Sequence, residues 1–207
     1  MDGIHFNAPF PTKTALMLLR GQKLIPDNFA EPEKIEAASG VLTWLTTRHY
    51  SFRGFNSDGG IYLNMIKNAR DAYKRNIKIA VLTGRRPELH MVTKRRVTQR
   101  YEDSFDYFFM NNTSSASGYK ESVARKILDG GNSMVHIDDD LRVALRIARA
   151  SEEYSDQQVV IYLKNNLSNG QWLLARAGVE LPPNIIPVGS LRDAGVDFTR
   201  RVRLGKI

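Results

Sequence analysis

The sequence predicts an α/β domain in which helices flank a parallel sheet, and two observations lead to that prediction. Short apolar runs alternate with stretches of helical periodicity between residues 61 and 163. This alternation is typical of β-α-β units, whose parallel strands are joined by helices that cover the sheet. Several apolar runs end at polar residues, and ligands of open α/β sheets bind at the carboxyl ends of the strands. We therefore expect a ligand site at that edge.

The first elements of the alternating region follow from apolar spacing. Apolar residues recur every three or four positions over residues 61–73, with lysine and arginine between them, which predicts an amphipathic helix. The apolar run at residues 77–82 predicts the first strand. Pro87 suits the first turn of a helix that extends to about residue 100. Residues 105–110 predict the second strand.

The second half of the region repeats the pattern. A helix is predicted over residues 119–128 and ends at the glycine pair 130–131. Residues 134–137 predict the third strand. Residues 141–149 carry apolar side chains on one helical face and arginines on the other. Residues 159–163 predict the fourth strand.

The signals weaken after residue 164. A short helix is predicted near Trp172, an extended segment at residues 185–188, and a basic end after that. We therefore predict that residues 165–207 form a C-terminal extension.

Composition excludes several classes of protein. The chain has 207 residues, enough for one domain with a small insertion, and 42% of them are hydrophobic. It has no cysteine, which excludes disulfide bonds, thiol catalysis and zinc bound by cysteine. No apolar run is long enough to span a membrane, and the start lacks the pattern of a secretion signal. We expect no membrane partner and an intracellular location, with the cytoplasm favoured over an organelle.

The charge of the chain favours a polyanionic partner. The net charge is +8 and the sequence pI is about 9.8. Such a charge suits RNA or DNA, and solubility alone is the alternative explanation. The candidate nucleic-acid contacts are basic residues after the first strand and on two of the helices: Arg85, Arg86, Lys94, Arg95, Arg96, Arg142 and Arg146.

Three consecutive aspartates follow the predicted strand at residues 134–137. Asp138, Asp139 and Asp140 would repel one another at the edge of a sheet unless a cation joined them. Divalent cations such as Mg²⁺ prefer carboxylate oxygens. We predict that Asp138 and Asp139 bind Mg²⁺ and that Asp140 caps the next helix. The alternative is a plain acidic helix start, which suits the helix dipole.

Other polar groups are predicted to reach the same edge. Thr83 and Gly84 end one predicted strand, and Lys120 lies at a helix start. A hydroxyl, backbone amides and an ammonium beside carboxylates suit a phosphate held next to Mg²⁺. The alternatives are that Thr83 is a helix cap and Lys120 an ordinary surface lysine. His136 is predicted to be a core histidine rather than a metal ligand.

The order of these residues resembles the haloacid dehalogenase (HAD) superfamily of phosphatases. Residues 82–85 (Leu-Thr-Gly-Arg) look like its second motif, residues 119–120 (Tyr-Lys) its third and residues 137–139 (Ile-Asp-Asp) its fourth. The chain is also similar to the phosphatase module of polynucleotide kinases and to a branch described as Swiss Army Knife RNA repair-like. The resemblance implies a Rossmann-like domain over residues 1–164, with a small cap or insertion at residues 14–60.

The first motif of the superfamily is only partly matched. Residues 2–11 (Asp-Gly-Ile-His-Phe-Asn-Ala-Pro-Phe-Pro) resemble its second half. The resemblance implies that Asp2 is the general acid and base and a metal ligand, whereas a solvated residue is the alternative. The aspartate that attacks phosphorus in the family would fall before Met1. We therefore expect the chain as written to be inactive or nearly so.

The resemblance also has a consequence for the sheet. The strand that carries the attacking aspartate lies in the middle of the sheet in this superfamily, so the central strand is expected to be missing or replaced. Residues 41–45, residues 159–163 or a strand of a partner are the candidate replacements.

Two functions from different classes follow. The resemblance implies an Mg²⁺-dependent phosphohydrolase, with nucleic-acid ends among its candidate substrates. Thr83 and Gly84 would then bind the phosphate and Lys120 would neutralise it. The alternative is a catalytically dead relative that binds RNA or a ribonucleoprotein. Serine hydrolysis and kinase chemistry are discounted, because the sequence has no recognisable serine-histidine-aspartate arrangement and no P-loop.

Overall fold

The computed structural model describes residues 58–85, 90–101, 104–164 and 180–207. Several predictions concern residues outside these ranges: those for Asp2, for Arg86, for the cap before residue 58, for residues 41–45 and for the helix near Trp172. Nothing of the side chain of Arg96 is described either.

Helices and strands alternate along the described residues, as the sequence predicts. In chain order they are α1 (Asp58–Ala72), β1 (Ala80–Thr83), α2 (His90–Tyr101), β2 (Tyr107–Met110), α3 (Ala116–Asp129), β3 (Met134–Asp138), α4 (Leu141–Ser151), β4 (Val159–Lys164), β5 (Ile185–Val188) and α5 (Leu191–Arg203). All strand pairs among them are parallel, which confirms the predicted α/β class. None of the described helices has both the length and the apolar character that a membrane crossing requires.

The described strands form two sheets, where the sequence predicts one. β1 pairs with β2, and Ala80 lies opposite Tyr107. The other sheet has the order β3-β4-β5, and in it Met134 lies opposite Val159. Because β4 lies between β3 and β5, residues 159–163 do not replace the central strand, and that candidate was wrong.

β5 and α5 join the C-terminal residues to the fold. The extended segment predicted at residues 185–188 is confirmed as β5, whereas no helix was predicted after it. α5 packs against α1. Its buried side chains recur at helical spacing: Leu191, Ala194, Gly195, Phe198 and Val202. The described part of the predicted extension at residues 165–207 therefore belongs to the core.

Two hydrophobic clusters hold the helices against the strands. One joins α1 and α5 to β1 and includes Tyr62, Val81 and Phe198. The other joins α3 and α4 to β4 and includes Ala124 and Leu163. Helices therefore cover the strands, which is how β-α-β units bury their apolar residues.

Local caps determine where α3 begins and ends. The hydroxyl of Ser115 accepts a hydrogen bond from the Gly118 amide at 3.1 Å, which is an N-cap contact. The helix ends at Gly130, and Gly131 has a φ of 74°, a left-handed conformation that favours glycine. The glycine pair acts as the sequence predicts. The N-cap fixes the first turns of α3, from which Lys120 reaches the carboxyl edge of the strands.

Candidate functional site

The predicted phosphate-binding and metal-binding residues lie at the carboxyl ends of β1 and β3. Thr83 is the last residue of β1, and Asp138 is the last residue of β3. Lys120 extends from α3, and its Nζ donates a hydrogen bond to Oδ2 of Asp138. Gly84 lies beside Lys120, because a Cβ built on Gly84 would be 3.6 Å from the lysine Cε. Residues far apart in the chain therefore meet at one edge.

The Lys120–Asp138 ion pair is buried. Lys120 is 4% exposed and Asp138 is 2% exposed. Burial alone would raise the pKa of Asp138, but the Lys120 ammonium and a hydrogen bond from His136 hold that pKa well below its ordinary value. Burial also disfavours the Lys120 ammonium, yet the pKa of Lys120 is raised because Asp138 and the next two aspartates outweigh it. Both groups are therefore charged at neutral pH.

Every oxygen of the Asp138 carboxylate is engaged. Oδ2 accepts from Lys120 and lies 3.1 Å from Nε2 of His136. Oδ1 accepts from the backbone amides of Asp139 and Asp140 at 2.9 and 3.0 Å. His136 is a buried histidine with a hydrogen-bond partner, as predicted. Its contact with Asp138 was not predicted, although the spacing of two residues along a strand puts both side chains on one face.

Asp139 differs from its two neighbours. Burial raises the pKa of Asp139 to about 6, and the negative charges of Asp138 and Asp140 add to the effect. Asp140 instead caps α4, as predicted: its Oδ1 accepts from the backbone N and from Nε of Arg142, both at 2.9 Å. Asp139 is thus the carboxylate that a cation at this edge would stabilise most.

The turn after β1 packs closely on α3. Thr83 is fully buried, and its Oγ1 accepts from the Arg85 amide at 3.2 Å. The carbonyl of Gly84 accepts from Nδ2 of Asn111 at 3.1 Å. A Cβ on Gly84 would lie 2.7 Å from the Cβ of Ala116, closer than side chains tolerate. Glycine is therefore required here for the close approach of the turn to the helix.

Ser117 is a polar group at this edge that the sequence analysis missed. It is 3% exposed, and within the described part of the chain its hydroxyl has no hydrogen-bond partner. It precedes Lys120 by three residues, so the two side chains lie on the same helical face. That spacing was visible in the sequence, but the burial of the hydroxyl was not. An orphaned buried hydroxyl is costly unless a ligand completes it.

The described residues only partly fit the predicted Mg²⁺ site. Among them no group of three or more histidine, aspartate or glutamate side chains is arranged to hold a metal ion. Asp138 could bind a cation only by giving up present partners, which leaves Asp139. Mg²⁺ is commonly held by one or two carboxylates together with substrate phosphate and water. The donor type fits, and the set is completed only by a phosphate or by a further carboxylate such as Asp2.

The predicted nucleic-acid contacts have different environments. Arg85 is buried. Arg142 pairs with Asp140, and Nη1 of Arg146 lies 3.1 Å from Glu121. In contrast, the basic residues on α2 whose side chains are described are exposed: Lys94 and Arg95. Their positive charge is the part of the predicted set that faces solvent.

No family model matches the chain, and neither a curated protein nor a solved structure is significantly similar to it.

Proposed function

We propose that this protein is an Mg²⁺-dependent phosphohydrolase-type domain that holds a phosphate group at the carboxyl edge of β1 and β3. The observation that supports the proposal most is the buried Lys120–Asp138 pair beside the Thr83–Gly84 turn. Buried ion pairs contribute little to stability on balance. Strongly perturbed pKa values in buried clusters are typical of functional sites.

Three donors serve the phosphate in this proposal. The Lys120 ammonium has three N–H groups, of which one is directed at Asp138, so the others can donate to phosphate oxygens. The hydroxyl of Thr83 accepts from Arg85 and keeps its own proton to donate. The orphaned hydroxyl of Ser117 supplies the third donor.

Asp139 is the residue proposed to hold the cation together with the phosphate oxygens. When bound, Mg²⁺ would neutralise the charge that builds up on the phosphate. The two negative charges that flank Asp139 favour cation binding, because they already raise its pKa. Asp2, which the family resemblance implies as a second ligand and as the general acid and base, lies outside the described residues.

The attacking group is not evident at this edge. Asp138 is bonded to Lys120, Asp140 caps α4, and Asp139 holds the cation in the proposed arrangement. The covalent route of the superfamily needs a further carboxylate next to the phosphate. We therefore propose that the described site binds a phosphate-bearing ligand and that turnover is slow unless such a carboxylate is supplied.

The binding part of the proposal is tested by titrating inorganic phosphate in the presence of Mg²⁺, by calorimetry. Thr83→Val keeps the shape of the side chain and removes the hydroxyl, and Ser117→Ala removes the orphaned hydroxyl. Each is expected to weaken phosphate affinity about 10-fold, the effect of one hydrogen bond to a charged group. Ser122→Ala, on the exposed side of α3, is the matched control. Unchanged affinity in both site variants would contradict the proposed site.

Turnover is tested separately with an aryl phosphate and Mg²⁺. We expect phosphate binding with hydrolysis far below that of an ordinary phosphatase. Fast hydrolysis that Thr83→Val abolishes would show that the attacking carboxylate is present, and it would leave the phosphate site intact.

An RNA-binding or ribonucleoprotein assembly protein without catalysis is the second candidate function. The exposed Lys94 and Arg95 on α2 favour it, because their charges face solvent. Steep salt dependence of RNA affinity is the expected signature.

A further inference from the structure

β1 and β3 each have an edge that carries no strand among the described residues. Along a parallel strand, the N–H and C=O groups of successive residues point alternately to the two edges. The carbonyls of Ile79 and Thr83 accept from the amides of Tyr107 and Asn111, so these residues face β2. The backbone groups of the alternate residues, Ala80 and Leu82, therefore point to the opposite edge.

The same alternation applies to β3. The amide of Met134 donates to the carbonyl of Gln158, so Met134 and the alternate residues face β4. The backbone groups of Val135 and Ile137 point away from β4. Each of the two sheets thus ends in an edge whose backbone donors and acceptors face away from the sheet's own strands.

Both edges border one cavity. Its volume is about 570 Å³, and it is lined along its length by β1 and β3. Helices close it on both faces, with apolar side chains from α1 and α5 on one face and from α3 on the other: Leu63, Ile66, Phe198, Val123 and Ile127. Main-chain polar groups buried between such layers need partners. A strand between the edges would supply partners to both at once.

The order of the elements indicates where that strand comes from. α2 connects β1 to β2, α3 connects β2 to β3, and α4 connects β3 to β4, and all of these strands are parallel. α1 precedes β1 in the same way, and a parallel crossover of this kind requires a strand before its helix. The missing strand therefore precedes Asp58 in this chain.

We propose that residues 41–45 (Val-Leu-Thr-Trp-Leu) fill the cavity as a parallel strand and join the two sheets into one with the order β2-β1-new strand-β3-β4-β5. Four of these five residues are apolar, which suits a strand covered on both faces, and the run is as long as the five-residue β3. Residues 46–57 remain to connect it to α1. This proposal does not depend on phosphate binding.

Amide hydrogen exchange of the native full chain, resolved by NMR, tests whether the cavity is filled. The amides of Leu82 and Ile137 are expected to exchange on the order of 100-fold more slowly than unprotected amides, at rates near that of Tyr162 in β4. Val81, whose backbone faces β2, is the internal reference. Exchange of Leu82 and Ile137 at the rate of unprotected amides would overturn the proposal.

The identity of the strand is tested with a proline, which cannot pair within a sheet. Thr43→Pro is expected to speed exchange at Leu82 and Ile137 at least 10-fold and to leave Tyr162 unchanged. Met17→Pro, in the other apolar run of the N-terminal part, is the matched control and is expected to change neither amide. If Met17→Pro has the effect instead, or if protection rises with protein concentration as for a second copy, residues 41–45 are not the occupant.

A second measurement stands even if Thr43→Pro does not fold. A photoreactive benzoylphenylalanine in place of Trp44 is expected to cross-link to side chains that line the cavity, such as Ile66, Val123 or Phe198, within the same chain. Adducts only with other residues, or only with a second molecule, would overturn the assignment.

Discussion

At the scale of single residues, the Lys120–Asp138 pair is the costliest feature of the described chain. Two buried charges lose their hydration, and their mutual attraction offsets that loss only while both are present. The additional bonds of Asp138 to His136 and to two backbone amides satisfy its remaining lone pairs. The pair is therefore stable together and unstable when either partner is removed.

Lys120→Met is expected to lower the free energy of unfolding by about 3–5 kcal/mol, because it leaves the Asp138 carboxylate buried without its cation. Urea unfolding measures the change. Lys126→Met, at an exposed position of the same helix, is the control and should change stability by less than about 0.5 kcal/mol. The double variant Lys120→Met with Asp138→Asn should recover a large part of the loss. A small loss in Lys120→Met alone would show that the pair is hydrated in solution.

Asp197 on α5 is a second perturbed carboxylate, and it connects the helix to β4. It accepts from the hydroxyl of Tyr162 at 2.9 Å and from Nε of Arg201 at 2.6 Å. Burial would raise the pKa of Asp197, but the hydrogen bonds from Arg201, Arg200 and Tyr162 outweigh it and lower the pKa. The ionised form is thus more favoured in the folded protein than in the unfolded chain.

The pH dependence of stability follows from that direction. A lowered folded pKa contributes stability that is fully present above the unfolded value of about 3.9 and is lost as the pH falls through the folded pKa. Asp197→Asn is therefore expected to be less stable than the wild type at pH 6, with a difference that shrinks below about pH 4. Urea unfolding at a series of pH values measures it. Asp156→Asn, at an exposed position, should keep the wild-type profile, and a constant deficit for Asp197→Asn at all pH values would contradict the linkage.

At the scale of elements, α5 shows that the C-terminal residues belong to the α/β core. Phe198 is 2% exposed and packs in the cluster that joins α1 to β1, whereas Val196 on the same helix is 55% exposed. Arginine and aspartate residues on the outer face made this segment look like a basic tail in sequence. Helical spacing of its buried residues distinguishes the two readings once the partner helix is known.

Phe198→Ala is expected to lower the free energy of unfolding by about 3–5 kcal/mol, because it removes a buried ring and leaves a cavity. Val196→Ala is the matched control and should stay within about 0.5 kcal/mol of the wild type. Chemical denaturation of both variants measures the difference. Equal, small effects at the two positions would mean that α5 does not pack on α1 in solution.

At the scale of the whole molecule, the net charge of +8 overstates the free positive surface. Arg125, Arg146 and Arg201 are each paired with a carboxylate. Pairing of this kind removes their charges from the field that a polyanion would meet. The exposed basic residues of α2 therefore matter more for any nucleic-acid partner than their number suggests.

The double variant Lys94→Glu with Arg95→Glu is expected to weaken the binding of a single-stranded RNA by at least about 10-fold and to reduce the slope of log affinity against log salt by about two. Arg192→Glu with Arg203→Glu makes the same change of charge at exposed positions of α5 and is the control. Fluorescence anisotropy at several salt concentrations measures both variants. Equal losses in the two would indicate that overall charge, rather than the α2 surface, governs binding.

The local features of this protein were set by the sequence alone. The period of the apolar residues predicted α1, α3, α4 and the run of parallel strands, because side-chain burial on a helix or strand repeats at a fixed spacing. The glycine pair after α3 and the Asp140 cap were predicted for the same reason, since turn and cap conformations depend on a few neighbouring residues. The convergence of Thr83, Lys120 and Asp138 was expected from the rule for parallel sheets.

Tertiary structure alone decided the rest, because those features depend on residues far apart in the chain. The Lys120–Asp138 bond, the buried hydroxyl of Ser117 and the packing of α5 on α1 each require two elements to meet. The gap between β1 and β3 is of the same kind, since strand order leaves no local signal. Apolar periodicity determines which face of an element is buried, whereas the partner of that face is determined only when the whole chain packs.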